Sequence, residues 1–142
     1  MSPTALDTKG HWLDLPPSEW EALAQAHGTP FYLYDADVIG QRIRAVREAL
    51  HGHAQIYYAV KANPNLALLR AVQTVADGAD ISSAGELAQV ELAGFNPARL
   101  SFAGPSKTDA ELEAAIHAGV GCISAESVRE IDACARIARR VG

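Results

Sequence analysis

The stretch that decides the fold is Gln55-Ile56-Tyr57-Tyr58-Ala59-Val60-Lys61-Ala62-Asn63-Pro64-Asn65. Its first half is apolar, β-branched and aromatic, which predicts a buried strand over 56–61, and the Asn-Pro pair ends that strand. Because side chains alternate along a strand, Tyr57, Ala59 and Lys61 are expected on one face. The strand therefore delivers an amine to its carboxyl end.

A lysine at the end of an apolar strand has two interpretations. Its stem can lie along the apolar surface with the ammonium group in water, which is the ordinary behaviour of lysine. Alternatively it is a nucleophile, because a partly desolvated lysine loses its proton readily and then forms imines with aldehydes. The strand alone favours the first interpretation, so the surrounding sequence has to decide.

Downstream of Lys61 a strand-helix pattern repeats. Strands are expected over 79–82, 99–103 and 120–124, and helices over 65–76, 84–93, 109–117 and 127–140. Equivalent apolar residues recur every 21 residues, at Val60, Ile81, Phe102 and Ile123. This alternation predicts an α/β fold with a parallel sheet and helices outside it. Short even units favour a (β/α)₈ barrel, and no Gly-x-Gly-x-x-Gly motif supports a dinucleotide fold instead.

The expected domain organisation has two parts. Residues 1–28 form a polar lead-in and a short helix, with Ser18 as N-cap and Gly28 at its end. Residues 29–142 form the N-terminal portion of the barrel, opening with a strand over 31–35 and a helix that Asp35 or Asp37 caps. Four βα units are visible where a barrel has eight, so we expect a fragment of a longer chain or one half that pairs with another chain. A self-contained small α/β domain is the remaining possibility.

Composition limits the function classes. The chain has 142 residues, is 49% hydrophobic and carries a net charge of −5 with both signs interspersed, so neither a nucleic-acid groove nor a membrane-binding basic patch is expected. No apolar run predicts a membrane span or a signal peptide, which makes a cytoplasmic location the default. Cys122 and Cys134 show no metal-ligand spacing and are expected to be buried structural thiols. The histidines are expected at the surface or at element ends, at His11, His27, His51, His53 and His117.

Polar residues follow each predicted strand. In βα barrels, function lies at the carboxyl ends of the strands, where Lys61, Asp80 and Ser82 are placed. Two further segments follow the third and fourth strands: Gly104-Pro105-Ser106-Lys107 and Ser124-Ala125-Glu126-Ser127. An amine, a carboxylate, hydroxyls and a glycine turn are therefore expected on one rim, where a carboxylate could orient Lys61 or hold its charge.

Several of these residues also have a structural interpretation. Asp80 could be a turn residue after Gly78. Ser82 and Ser83 could cap the following helix, with Glu86 closing a capping box with Ser83. Two loop charges are expected to be solvated, Lys107 and Glu126.

Four segments together resemble a known family. Residues 58–65 look like the cofactor-lysine motif of the fold-type III pyridoxal-phosphate (PLP) decarboxylases, which include the diaminopimelate, ornithine and arginine decarboxylases and share an alanine-racemase-like barrel. Residues 78–87 are similar to the family's second-strand segment, and residues 102–108 and 124–127 to its third and fourth loops. The resemblance runs from about Thr29 to the end of the chain.

The resemblance implies a mechanism and a set of site residues. Lys61 would hold PLP as a Schiff base, an amino-acid substrate would displace it, and carbon dioxide would leave while the pyridinium ring takes up the electrons. Asp80 matches an acid beside the cofactor lysine, Glu86 matches a position that is often acidic, and Ala59 completes the expected cofactor-binding set. The family's other catalytic segments lie further along its chain, and its active site is completed across a homodimer interface.

Two residues depart from the family pattern. Glu126 stands where many members have aspartate. Ser106 stands where many have glycine, and a loop that requires positive φ tolerates serine less easily. The third loop also occurs in relatives that act on carrier-tethered amino acids, so the expected substrate is diaminopimelate-like, or a related basic or carrier-tethered amino acid. Two alternatives stay open: an inactive or partner-complemented PLP-binding half-barrel, and a racemase or another PLP enzyme on the same barrel.

Overall fold

Helices and short strands alternate along the chain. The computed structural model describes residues 15–141. The helices in this range are α1 (Pro17–His27), α2 (Ala36–Ala49), α3 (Leu66–Gln73), α4 (Ala84–Ala93), α5 (Asp109–Ala118) and α6 (Val128–Val141). The strands there are β1 (Tyr57–Ala59), β2 (Gly78–Ile81), β3 (Leu100–Phe102) and β4 (Cys122–Ile123), with 3₁₀ turns at Val60–Ala62 and Pro97–Arg99.

The strands form one parallel sheet in the order β1-β2-β3-β4. Its register places Ala59 beside Asp80, Asp80 beside Ser101, and Ser101 beside Cys122. Neighbouring strands are therefore offset by the period of 21 residues that the apolar pattern predicts. The prediction of an α/β fold with a parallel sheet is confirmed.

The two faces of the sheet differ in what covers them. Helices bury one face, where Val60, Ile81 and Phe102 have no exposed surface. A second, smaller cluster joins α5 to α6 through Leu112, Ala133 and Ile137. The opposite face carries four residues that are half-buried or exposed, and we call them the open row: Ala59, Asp80, Ser101 and Cys122.

Short-range signals set most helix ends. The Asp35 carboxylate caps α2 by accepting from the N–H of Asp37 at 2.8 Å. Thr108 and Glu111 form a reciprocal capping box at the start of α5. Left-handed glycines end α4 and α5, as predicted, at Gly94 and Gly119.

Two predictions near the start of the described range are wrong. Ser18 is not an N-cap, because α1 begins at Pro17, whose fixed φ and missing N–H suit the first helical position, and Pro16 takes the cap position. Residues 31–35 do not form a strand. A strand needs a hydrogen-bonded neighbour, and the sheet of the described range begins with β1. Tyr32 is 89% exposed on this segment.

Several predicted elements are too long. β1 stops at Ala59, two residues before the predicted end, so strand alternation does not place Lys61. β4 keeps only Cys122–Ile123, and α3 ends at Gln73. At that helix end the Thr74 hydroxyl donates back to the Ala71 carbonyl at 2.8 Å, a local bond typical of a chain leaving a helix.

The cysteine prediction is only partly right. Cys122 is exposed because it belongs to the open row, whereas Cys134 is half-buried against the cluster between α5 and α6. The described histidines are exposed, as predicted. His11 and most of the predicted lead-in lie outside the described residues. Within residues 15–141, no helix is long and apolar enough to cross a membrane, and no group of three or more His, Cys, Asp and Glu is arranged to hold a metal ion.

Candidate active site

Lys61 lies two residues after the last residue of β1. The strand gives way to a 3₁₀ turn over Val60–Ala62, in which the Asn63 N–H donates to the Val60 carbonyl at 3.1 Å. Val60 is fully buried under the helices and anchors this turn. The Lys61 side chain is exposed, and none of the ion pairs found within residues 15–141 involves it. Its amine is therefore accessible to a ligand at the carboxyl end of the sheet.

The segment after Lys61 is fixed by hydrogen bonds. The Tyr58 hydroxyl donates to the Asn63 carbonyl at 3.1 Å, and burial raises the pKa of this phenol. Asn65 caps α3, because its side-chain oxygen accepts from the N–H of Ala67 at 3.0 Å. The Asn-Pro-Asn turn thus joins β1 to α3 and fixes the backbone that follows Lys61.

A pocket of about 440 Å³ opens beside Lys61. Its lining comes from the carboxyl ends of β1 and β2 and from the loops after β3 and β4, namely Lys61, Asp80, Ser82, Ala103, Gly104, Pro105 and Glu126. Ligand pockets in proteins usually measure about 300–1,000 Å³, so the volume suits a small molecule. An amine, a carboxylate, hydroxyls and a glycine turn were expected on this rim. The lining contains the amine, two carboxylates, one hydroxyl and the glycine turn.

The four residues expected to bind the cofactor occupy different places. Lys61 and Asp80 both line the pocket, whereas Ala59 and Glu86 are not part of its described lining. Ala59 is the register neighbour of Asp80 in β1 and is half-buried in the open row. It leaves only a methyl group beside the Asp80 carboxylate.

Glu86 does not line the pocket but holds Ser82, which does. Its Oε2 accepts from the Ser82 N–H at 2.6 Å and from the Ser82 hydroxyl at 3.0 Å. Ser83 caps α4 by accepting from the Glu86 N–H at 3.2 Å. The expected capping box is thus displaced by one residue, because the glutamate returns its bond to Ser82, and this holds a hydroxyl at the pocket wall.

The prediction that Lys107 is a solvated loop charge is wrong. Lys107 is only 2% exposed, and its Nζ lies 3.0 Å from Oε2 of Glu130, which is also 2% exposed. The same ammonium donates to the Gly104 carbonyl at 2.6 Å and lies 5.8 Å from the centre of the Phe102 ring. A buried charge is costly unless it is paired and hydrogen-bonded, and this lysine meets both conditions. Glu126, the other predicted solvated charge, is exposed.

Glu130 was given no role in the sequence, yet it is the buried partner of Lys107. Its carboxylate accepts from the Glu126 N–H at 2.9 Å and from the Lys107 N–H at 3.2 Å. The Glu126 N–H, together with the Lys107 side chain, holds the pKa of this carboxyl below its ordinary value. A sequence signal was available, because a Ser/Thr-x-x-Glu pattern opens three successive helices, at Ser83, Thr108 and Ser127.

The chemistry of the pocket suits a carbonyl compound. An accessible primary amine can attach an aldehyde covalently, and the Asp80 carboxylate lines the same cavity. This fits the aldehyde end of PLP. The lining supplies no second cation for a phosphate group, so this pocket fits only part of that cofactor.

Comparison with known proteins decides the family. A family model described as the pyridoxal-binding domain of pyridoxal-dependent decarboxylases matches residues 36–141. The chain belongs to the pyridoxal-dependent decarboxylase family. The cofactor of this domain is pyridoxal phosphate, and the resemblance noted in the sequence is confirmed. The members of the family are PLP-dependent amino-acid decarboxylases.

Individual relatives agree with this family. The chain is 40% identical over 119 residues to the L-glutamyl-[BtrI acyl-carrier protein] decarboxylase of Niallia circulans, covering 84% of this chain. It is 40% identical over 121 residues to the diaminopimelate decarboxylase of Neisseria meningitidis serogroup B, again covering 84% of this chain.

The structure also superposes on a solved pyridoxal-dependent decarboxylase. Diaminopimelate decarboxylase from Helicobacter pylori, complexed with L-lysine, matches with a TM-score of 0.80 and 38% identity over 87% of this chain. The four-stranded sheet therefore corresponds to the N-terminal part of the decarboxylase barrel. The chain spans 28% and 29% of the lengths of the two curated relatives and 32% of the solved chain.

Proposed function

We propose that this chain is the N-terminal part of a PLP-dependent amino-acid decarboxylase and that Lys61 attaches the cofactor. The observation that carries the proposal is the pocket at the carboxyl end of the sheet, where the exposed Lys61 shares a wall with Asp80. Bound PLP would supply an electron sink for loss of the substrate carboxylate. The remaining segments of the active site would come from the rest of a longer enzyme, in a homodimer.

Each pocket residue has a distinct task in this proposal. Lys61 binds the cofactor and receives or returns a proton at Nζ. Asp80 orients that amine from the same pocket wall. Glu86 keeps the Ser82 hydroxyl at the pocket wall. Ala59 provides space next to Asp80 in the sheet.

The proposed substrate is an amino acid of the diaminopimelate type, or a related basic or carrier-tethered one. The support is the pair of curated relatives, since one is a diaminopimelate decarboxylase and the other is a decarboxylase of a carrier-bound glutamyl group. Both substrates should be offered to the same enzyme preparation.

A second candidate is an inactive or partner-complemented PLP-binding half-barrel. The open row supports this candidate, because within residues 15–141 its members are half-buried or exposed, and Cys122 is exposed. A separate chain that packs against this face would complete the barrel interior.

One experiment separates these candidates. The protein would be treated with PLP, reduced with borohydride and mapped for pyridoxyl groups on its three lysines, Lys9, Lys61 and Lys107. We expect modification concentrated on Lys61, with Lys107 protected by burial and modified only when the protein is unfolded first. Labelling spread equally over the accessible amines would overturn both candidates. Selective labelling of this chain, with carbon dioxide release from an offered amino acid once the chain is part of the longer enzyme, supports the decarboxylase. Selective labelling without release from the longer enzyme supports the half-barrel.

A further inference from the structure

The loop after β3 and the start of α6 are joined by a closed ring of hydrogen bonds. The Gly104 carbonyl accepts from Lys107 Nζ at 2.6 Å, and that Nζ lies 3.0 Å from Glu130 Oε2. The same oxygen of Glu130 accepts from the Glu126 N–H at 2.9 Å. The Glu126 carboxylate then accepts from the Gly104 N–H at 3.1 Å, which closes the ring. We call these residues the four-residue ring.

Two members of the ring line the Lys61 pocket and two lie behind it. Gly104 and Glu126 are pocket residues, whereas Lys107 and Glu130 are buried beneath them. The ring uses both backbone polar groups of Gly104, whose φ of 135° is a conformation that favours glycine. The position of this loop therefore depends on partners that have no contact with the pocket themselves.

A buried ion pair contributes little net stability by itself. Replacing such a pair with apolar residues of similar volume is often neutral or stabilising, because the desolvation of two charges offsets their attraction. What an apolar pair cannot do is accept from the Glu126 N–H or donate to the Gly104 carbonyl. Apart from the bond between the Lys107 N–H and Glu130, the contacts that distinguish this pair from an apolar one are thus those that reach the pocket wall.

We propose that Lys107 and Glu130 are positioning residues of the Lys61 pocket, which hold the Gly104 backbone and the Glu126 carboxylate in the arrangement that receives the cofactor. This inference rests on the proposed function, since it takes the Lys61 pocket as the PLP site. Neither residue touches the cofactor. They act through Gly104 and Glu126.

The decisive variant replaces the pair with apolar side chains, Lys107→Met with Glu130→Leu, in the full chain. We expect the melting temperature to fall less than in Lys107→Met alone, because no charge is left unpaired, although the N–H groups of Lys107 and Glu126 lose their acceptor. Amide hydrogen exchange at Gly104 and Glu126 should nevertheless become faster. The dissociation constant for PLP should rise about tenfold, which corresponds to the loss of one supporting hydrogen bond.

The control breaks an exposed ion pair between α5 and α6 that has no contact with the ring, through Glu113→Gln with Arg140→Gln. It should change neither amide exchange at the ring nor PLP affinity. A double apolar variant with original exchange rates and original PLP affinity would overturn the proposal, because the pair would then be structural only. Faster exchange without weaker PLP binding would overturn it as well.

Two further results keep the test decisive. If the double variant does not fold, Glu130→Gln, which keeps the shape of the side chain, is measured below its melting temperature. One amide oxygen cannot replace both carboxylate oxygens, so unchanged exchange at both Glu126 and Lys107 in that variant would contradict the proposed role. If the original protein takes up no PLP at Lys61, the proposed function fails, and the positioning role for this cofactor fails with it. The exchange rates would still show whether the ring holds the loop.

Discussion

Lys61 and Lys107 both follow strands of one parallel sheet, yet the fold treats them in opposite ways. Lys61 is exposed at a pocket that it shares with Asp80 and Glu126. Lys107 is buried, with its ammonium group divided between the Glu130 carboxylate and the Gly104 carbonyl. The difference lies in what the next βα unit supplies, because α6 brings Glu130 under the β3 loop. Whether a lysine after a barrel strand is an accessible amine or a buried structural charge thus depends on whether the helix of the next βα unit supplies a carboxylate for it.

The largest expected effect is on cofactor attachment by Lys61. Lys61→Ala should reduce pyridoxyl labelling of the protein to background, because no other described lysine is exposed in the pocket. Its stability should change by no more than about 0.5 kcal/mol, as is usual for an exposed side chain. Absorbance of the PLP-treated protein and thermal unfolding measure the two quantities. A variant that keeps its labelling would show that Lys61 is not the attachment residue.

The second effect concerns Lys107, where we expect a large change in stability. Lys107→Met should lower the melting temperature by about 10 °C, because it leaves the buried Glu130 carboxylate without its ammonium partner. The matched control is Arg140→Gln, which breaks the exposed pair of Arg140 with Glu113 and should cost no more than about 1 kcal/mol. Equal effects of the two changes would contradict the interpretation of Lys107 as a structural charge.

The third effect is on acid stability. The pKa of the Glu130 carboxyl is lower in the folded protein than its ordinary value of 4.5, so below that value the unfolded chain binds the proton more readily. The stabilisation is complete above about pH 4.5 and is lost as the pH falls through the lower folded pKa. Melting temperatures measured from neutral to acid pH should therefore fall less steeply in Glu130→Gln. If the fall of the melting temperature at acid pH is the same in Glu130→Gln as in the original protein, the Glu130 carboxyl does not contribute to the acid dependence of stability.

The smallest effect is at Ser106, next to Lys107. Ser106 has a φ of 63°, so the loop does require a positive φ at the position where the sequence resemblance implies glycine in many relatives. Ser106→Gly should stabilise the protein by about 0.5 kcal/mol, because relief of backbone strain slightly exceeds the entropy that glycine adds to the unfolded chain. Ser124→Gly, at a residue without positive φ, should destabilise it by about 0.5 kcal/mol. Chemical denaturation compares the two.

The architecture could be predicted from the sequence because the fold is built from a repeated strand-helix unit. Three of the apolar residues spaced by 21, Ile81, Phe102 and Ile123, lie in register in the sheet, and Gly94 and Gly119 end α4 and α5 as expected. The rim of Lys61, Asp80 and Glu126 followed from the rule that parallel strands end at one edge. The roles of the individual pocket residues stay predictions.

The errors came from contacts between distant residues. Residues 31–35 have the apolar and aromatic composition of a strand, but composition does not supply a hydrogen-bonded neighbour. Lys107 and Cys122 were misjudged because burial depends on what the next layer covers: α6 covers the first, and no described helix covers the second. Periodicity along one strand cannot report either fact.

The open row has a practical consequence through its thiol. Cys122 belongs to the same row of the sheet as Asp80 and is exposed within the described residues, while Cys134 is half-buried in the cluster between α5 and α6. Cys122 can therefore serve as a footprinting probe of this face, and Cys134 as the internal reference. The rate at which a thiol reagent alkylates Cys122 relative to Cys134 reports directly whether any other polypeptide shields the barrel interior.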